Sequence, residues 1–256
     1  ADTLLEQSEK NTLNALNQLE SNLTTVLDTV NTISKNILVS SYFSEEMKLE
    51  KIQSFDDVQF INDIYTFFSE FLVSYNYIHS IVYYGDDGII IGSSNHKNFF
   101  QPAPEKNNFF YSSGFRKQLD EKTDAVLCGD LSYSDFFPGN YSSTQDIRYI
   151  SLGRKLHTLN NLGGYIVINI PETYIRSFYH NDSKNSSDES ILLDSQHRII
   201  SCGDKNFIGT PVQIEPLDDG HSVYLTLAKG NNEELNDTHQ IIYYPYSNYG
   251  LSIIYQ

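Results

Sequence analysis

The chain has 256 residues, 39% of them hydrophobic, with 19 Tyr and 15 Phe. That is enough apolar surface for a globular core of one large domain or two small ones. A formal net charge of −16, from 33 acidic and 17 basic residues, repels phosphate backbones and anionic bilayers. Nucleic acid and an anionic membrane surface are therefore not expected as direct partners.

No apolar run approaches the roughly 20 residues of a membrane span, and no signal peptide is visible. The chain starts in a helical pattern and stops on the strand-like run Leu251 to Tyr255. Such abrupt edges are expected of a piece of a longer protein.

From Ala1 to Gln53 there is no Gly or Pro. Leu16, Leu23, Val30 and Ile37 recur at heptad spacing, with Leu19, Val26 and Ile33 at the complementary position. This predicts one long helix with an a/d seam. The seam packs on its own domain, pairs with a second copy, or does each along a different stretch. A second helix is predicted from about Phe55 to Tyr75, with Asp56 and Asp57 at its positive end and a wide apolar face. The period then changes. Ile78 to Tyr84 and Ile89 to Ser93 read as two strands joined through Gly85-Asp86-Asp87-Gly88, a hairpin signal.

Residues 94–146 read as irregular and aromatic, with a helical patch near Tyr111 to Glu121. Arg148 to Arg154 and Tyr165 to Ile170 are predicted strands. Pro171 is expected to open a short helix. The polar stretch from His180 to Ser190 reads as a linker. A second strand series follows: Ile191 to Asp194, Arg198 to Ser201, Ser222 to Ala228, Gln240 to Tyr244 and Leu251 to Tyr255. A helical start followed by two antiparallel strand blocks predicts an α+β fold.

Order along the chain carries a resemblance. Asn76 to Gly88 looks like a first hairpin of a PAS-like module. Tyr149-Ile150-Ser151-Leu152-Gly153-Arg154 and Gly164 to Ile170 look like its later strands. Ile191 to Ser201 with Ile208-Gly209, and Tyr249 to Ile254, look like a second module. The chain thus resembles the double Cache (dCache) sensor domains, most of all the ectodomains of YesM-type sensor histidine kinases. Leu251 departs from that pattern, which usually has Trp.

The resemblance implies a long helix (1–54), a membrane-distal PAS-like module (55–179) and a membrane-proximal one (180–256). It implies an extracytoplasmic, non-enzymatic domain of a bacterial receptor, anchored in the membrane by flanking helices and homodimeric in the full-length protein. The expected partner is a small molecule (sugar, organic acid or peptide) or a solute-binding protein. A surface adhesin or stalk, and after it an extracellular hydrolase, are the remaining alternatives.

No catalytic or cofactor signature stands out, and no cofactor is expected. The seven histidines are scattered, without another His or Cys at ligand spacing, so no metal site is expected. Cys128 and Cys202 read as buried free thiols, although a disulfide between them stays open. The sequons at Asn22, Asn140, Asn181, Asn185 and Asn236 fit chance in an Asn-rich chain.

A binding pocket is expected between the first sheet and the aromatic segment that follows it. Arg116, Arg148 and Arg154 are scarce cations able to hold a carboxylate. Tyr111, Arg116, Tyr133, Arg148 and Tyr165 are the candidate ligand-binding residues. Tyr111 and Arg116 partly match the family's amino-acid-binding pattern but lack its Trp, which argues against a free amino acid.

Overall fold

A computed structural model of the chain describes residues 2–44, 54–86, 88–101, 109–137, 147–156, 163–179, 190–216, 223–227, 242–246 and 248–255. The expected linker before Ser190, most of the turn near Asn160, the turn near Gly230 and the sequons at Asn140, Asn181, Asn185 and Asn236 lie outside them. Contacts divide the chain into two compact units. One joins Ala1–Leu27 to Glu172–Gln256, and the other is Asp28–Pro171.

Helix α1 runs Asp2–Val39. Its whole predicted seam, from Leu16 through Ile37, is buried within the single chain. The heptad stripe is therefore accounted for by intramolecular packing. A single turn, α2 (Ser41–Ser44), follows. Helix α3 (Phe55–Ser74) starts at a capping box: Ser54 Oγ accepts from the Asp57 N–H, and the Asp57 carboxylate accepts from the Ser54 N–H. Those bonds satisfy donors that an uncapped first turn would leave open.

The unit Asp28–Pro171 is built on one antiparallel sheet. Its strands are β1 (Ser80–Gly85), β2 (Ile90–Ser94), β3 (Asn98–Gln101), β4 (Val126–Ser132), β5 (Arg148–Leu156) and β6 (Gly164–Pro171). The order across the sheet is β3-β2-β1-β6-β5-β4. Both faces are covered, which is why β1 and β6 are apolar almost throughout rather than alternating.

One face meets the helices. Phe43 of α2 packs on Tyr83 of β1 and stacks on Phe68 of α3. Ser69 of α3 reaches Ser93 of β2. The other face carries Val82, Tyr84, Ile90, Tyr149, Tyr165 and Val167 into a core closed by short helices. These are α4 (Phe109–Ser112), α5 (Gly114–Glu121) and α6 (Tyr133–Phe136).

Several elements differ from the sequence reading, including β3, β4 and a strand over Val212–Pro216. The segment read as irregular cover contains β3 and β4, the two edge strands. Among the described residues each pairs on one side only, and β4 is broken by a bulge between Cys128 and Leu131. Short or interrupted strands carry little periodic signal. Pro171 also ends β6, opposite Tyr149, rather than opening a helix. Helix α7 begins one residue later, Glu172–Arg176.

In the second unit, β7 (Ser190–Leu193), β8 (Ile199–Ser201), β11 (Ile242–Tyr246) and β12 (Leu251–Tyr255) form a four-stranded antiparallel sheet, order β11-β12-β7-β8. Strands β9 (Val212–Pro216) and β10 (Val223–Leu227) form a separate pair. The core gathers Leu193, Ile199, Cys202, Ile208, Val212 and Ile254. Within it Glu172 accepts a hydrogen bond from Ser201, which also contacts the Tyr179 hydroxyl. Cys128 and Cys202 are both buried free thiols. The fold is thus α+β, with a long N-terminal helix leading into two antiparallel-sheet modules.

Candidate functional site

The sheet face under α4–α6 brings three of the five expected residues together. Tyr165 stands on β6 beside Tyr84 of β1 on one side and Lys155 of β5 on the other. Helix α5 is started by Ser113, whose hydroxyl accepts from the Arg116 N–H. That cap sets the first turn so that Arg116 lies over the aromatic cluster. Its guanidinium sits 5.2 Å from the Tyr111 ring centre and 5.5 Å from that of Tyr165. Arg116 Nε donates to the Tyr165 hydroxyl at 3.4 Å, and Tyr165 donates to Asp120 Oδ1 at 2.7 Å. Lys155 Nζ donates to the same oxygen at 2.6 Å. Tyr111 is anchored by its hydroxyl, which donates to Gly85 O at 2.7 Å.

Electrostatics follow this wiring. The Tyr165 hydroxyl raises the Arg116 pKa further above the usual guanidinium value, so the charge is permanent. Burial works to raise the Asp120 carboxyl, but hydrogen bonds from Lys155 and Tyr165 hold it below the usual range. Burial and donation to Asp120 push the Tyr165 phenol up. The cluster therefore presents a fixed cation flanked by two aromatic faces, an arrangement suited to a carboxylate or another planar anion.

Tyr133 and Arg148 lie elsewhere on the same unit. The bulge in β4 puts Asp130 in the left-handed region, at φ 60°, which Asp tolerates better than most residues. There its carboxylate receives Arg148 Nη1 at 2.9 Å. Tyr133 stacks on Phe137 at 4.6 Å and meets the His79 ring edge-on at 6.0 Å. His79 is buried, and its Nδ1 lies 3.1 Å from the Tyr149 hydroxyl. Burial, followed by the nearby His96, pushes its pKa down to about 4. Beside it a buried polar row crosses the sheet: Ser151 donates to Asn169 Oδ1 at 2.6 Å, and Asn169 donates to Ser80 Oγ at 2.9 Å.

Arg154, the third scarce cation, does not face this side. It is 5% exposed and bonded to α1 on the helix face. Sequence reasoning missed Asp120, Lys155, Tyr84 and His79. Asp120 had a signal, its helical spacing of four from Arg116. Lys155 and Tyr84 join Tyr165 only through strand register. Among the described residues no group of three or more His, Cys, Asp or Glu is placed to hold a metal ion.

No protein-family model matches the sequence, and no curated protein matches it. Solved structures share its fold. The sensory domain of the Campylobacter jejuni chemoreceptor Tlp3, solved with isoleucine bound, aligns over 99% of this chain and 93% of its own, with TM-score 0.59 and 13% identity. The extracellular domain of soHK1S-Z6, named as a histidine kinase, aligns over 99% and 96%, with TM-score 0.59 and 10% identity. That of vpHK1S-Z8, also named as a histidine kinase, aligns over 98% and 95%, with TM-score 0.57 and 11% identity. The shared architecture is a long N-terminal helix leading into antiparallel-sheet modules. At these identities the likeness is one of fold.

Proposed function

We propose that this chain is the extracytoplasmic ligand-sensing domain of a bacterial transmembrane receptor, a dCache sensor of a two-component histidine kinase of the YesM type. In this reading 1–54 is the signalling helix, 55–179 the membrane-distal module and 180–256 the membrane-proximal one. The full-length receptor is a homodimer anchored by flanking membrane helices. The domain acts by binding rather than catalysis.

A small molecule, an organic acid before a sugar or peptide, binds on the sheet face under α4–α6. The observation that carries this is the Arg116 guanidinium held between Tyr111 and Tyr165. Tyr133 and Arg148 are further candidates in this reading, although neither contacts Arg116 among the described residues. The fold shared with sensory domains supports the receptor reading.

Signalling is a population shift, limited by the ligand's differential affinity for two states. Strand β5 supplies a route for it. Gly153 lies directly beneath Phe115 and Leu119 of α5, and the next residue, Arg154, bonds α1 on the opposite face.

The test is a thermal-shift screen against organic acids, sugars, amino acids and short peptides. Ligand binding to the native state raises the melting temperature by mass action. A dose-dependent rise that is lost in Arg116→Ala and Tyr111→Ala is the expected result. No rise with any compound would remove direct small-molecule sensing and leave a partner protein as the input.

A further inference from the structure

Three tyrosines cluster between the sheet and its short helices, two of them against Arg116, and the hydroxyls of those two are spoken for. Tyr111 donates to Gly85 O and Tyr165 donates to Asp120. The hydroxyl of Tyr84 is buried and has no hydrogen-bond partner among the described residues. Its ring is stacked on Phe110 at 4.0 Å and 14° and meets Tyr111 edge-on at 6.1 Å. Phe110 in turn packs on Tyr165 at 5.2 Å.

Phenylalanine would fill the same space without stranding a polar atom. Buried phenols ordinarily have a partner, and local rules tend to be broken where function requires it. Burial, then Tyr111 and Asp135, push this phenol well above its usual range, so it is a neutral donor. The nearby Asp135 carboxylate is already taken by the Ser132 N–H and hydroxyl. Asp120 is taken by Lys155 and Tyr165. Arg116 uses Nε on Tyr165, while its Nη atoms make no hydrogen bond among the described residues. The core that Tyr84 and Tyr165 share is otherwise apolar there, with Val82, Ile90, Phe110 and Val167.

We infer that Tyr84 is a specificity-determining residue. Its hydroxyl donates to a second oxygen, a hydroxyl or keto group, on a small apolar carboxylate whose carboxyl group pairs with Arg116. The inference rests on the proposed ligand site and names its substrate class. Because the hydroxyl is enclosed, the ligand reaches it only when α4–α6 lift from the sheet. The ligand then gives the lifted state a hydrogen bond that the closed state lacks.

The experiment compares wild type with Tyr84→Phe by calorimetric titration. The probes are matched acids, lactate with propionate and α-hydroxyisocaproate with isocaproate, alongside leucine. Wild type is expected to bind a hydroxy acid about tenfold more tightly than its deoxy partner, the equivalent of one net hydrogen bond to a charged-ligand site. Tyr84→Phe is expected to bind both alike, and without ligand to melt at the same or a higher temperature.

A preference retained in Tyr84→Phe overturns the inference and leaves the sensor reading intact. So does a lower melting temperature with unchanged preference, the signature of a bound water on the hydroxyl. If wild type binds only leucine, or only compounds of the wider screen that are not carboxylates, the substrate class falls while sensing stands. If nothing binds, both fall.

Discussion

Arg154 Nε donates to Ser34 Oγ at 2.9 Å, and its Nη2 donates to Asn31 Oδ1 at 2.6 Å. The donor is on β5 and the acceptors are on α1, so a buried guanidinium fastens helix to sheet. Truncating it strands two polar acceptors and removes a charge-assisted pair. Arg154→Leu is expected to destabilise the protein by about 2 kcal/mol and Ser34→Ala by about 1 kcal/mol. Urea denaturation followed by tyrosine fluorescence measures both. Equal midpoints in wild type and Arg154→Leu would show that the contact contributes nothing.

The glycine preceding it has a different constraint. A Cβ on Gly153 would come within 2.6 Å of the Phe115 ring and 3.0 Å of Leu119. Gly153→Ala therefore pushes α5 off the sheet, at a cost of about 1–3 kcal/mol, and weakens any ligand response that depends on Arg116. Gly114, at the start of the same helix, meets nothing within 4 Å. Gly114→Ala is expected to stabilise by about 0.5 kcal/mol. Melting temperatures that move in the same direction for the two variants would contradict this account of α5.

His79 titrates at about 4 when folded, against 6.5 for the free side chain. Between those values the unfolded chain binds more protons, so stability rises with pH. The contribution is complete above pH 6.5 and is lost as pH falls toward 4. The total is on the order of 3 kcal/mol. The groups facing the imidazole are the Tyr149 hydroxyl, Tyr133 and His96, with Lys97 over the adjacent Phe137 ring. His79→Gln should flatten the stability–pH profile across this window relative to wild type. Parallel profiles would show that His79 is not the group responsible.

In the other unit the β7–β8 turn depends on one carboxylate. Asp194 Oδ1 accepts from the Gln196 and Arg198 N–H groups at 2.8 and 2.9 Å, and Oδ2 accepts from Arg198 Nε at 3.0 Å. These bonds hold His197 at φ 56°, the left-handed turn position. Asp194→Ala is expected to cost about 1–3 kcal/mol and to speed amide exchange in Ile191 to Ser201. Asp194→Asn retains the Oδ1 acceptor and should lose about half as much. Unchanged exchange in the alanine variant would assign the turn's stability to its backbone alone.

Much of the architecture was legible because it rests on local pattern. Heptad spacing placed α1 and its buried seam, the Asp-Gly turn placed the β1–β2 hairpin, and the second strand series placed β7, β8 and β12. Within the site, Tyr111 and Arg116 were reachable because they lie close in sequence, on the consecutive short helices α4 and α5. Tyr133 and Arg148 were chosen for residue type, and side-chain chemistry does not say which end of a sheet a residue occupies.

What only the tertiary structure decided is register and face. The central strands are buried on both sides, so alternation of polar and apolar residues does not mark which side chains point together. Arg154 looked as available as Arg116, yet the pleat turns it toward α1 while Gly153 faces α5. Tyr165 acquires Tyr84 and Lys155 as neighbours through pairings of β6 with β1 and β5. The sequence by itself determined the elements and their order, because those follow from spacing a few residues apart. The tertiary structure decided the wiring of the site, because strand pairing brings together residues that no local spacing relates.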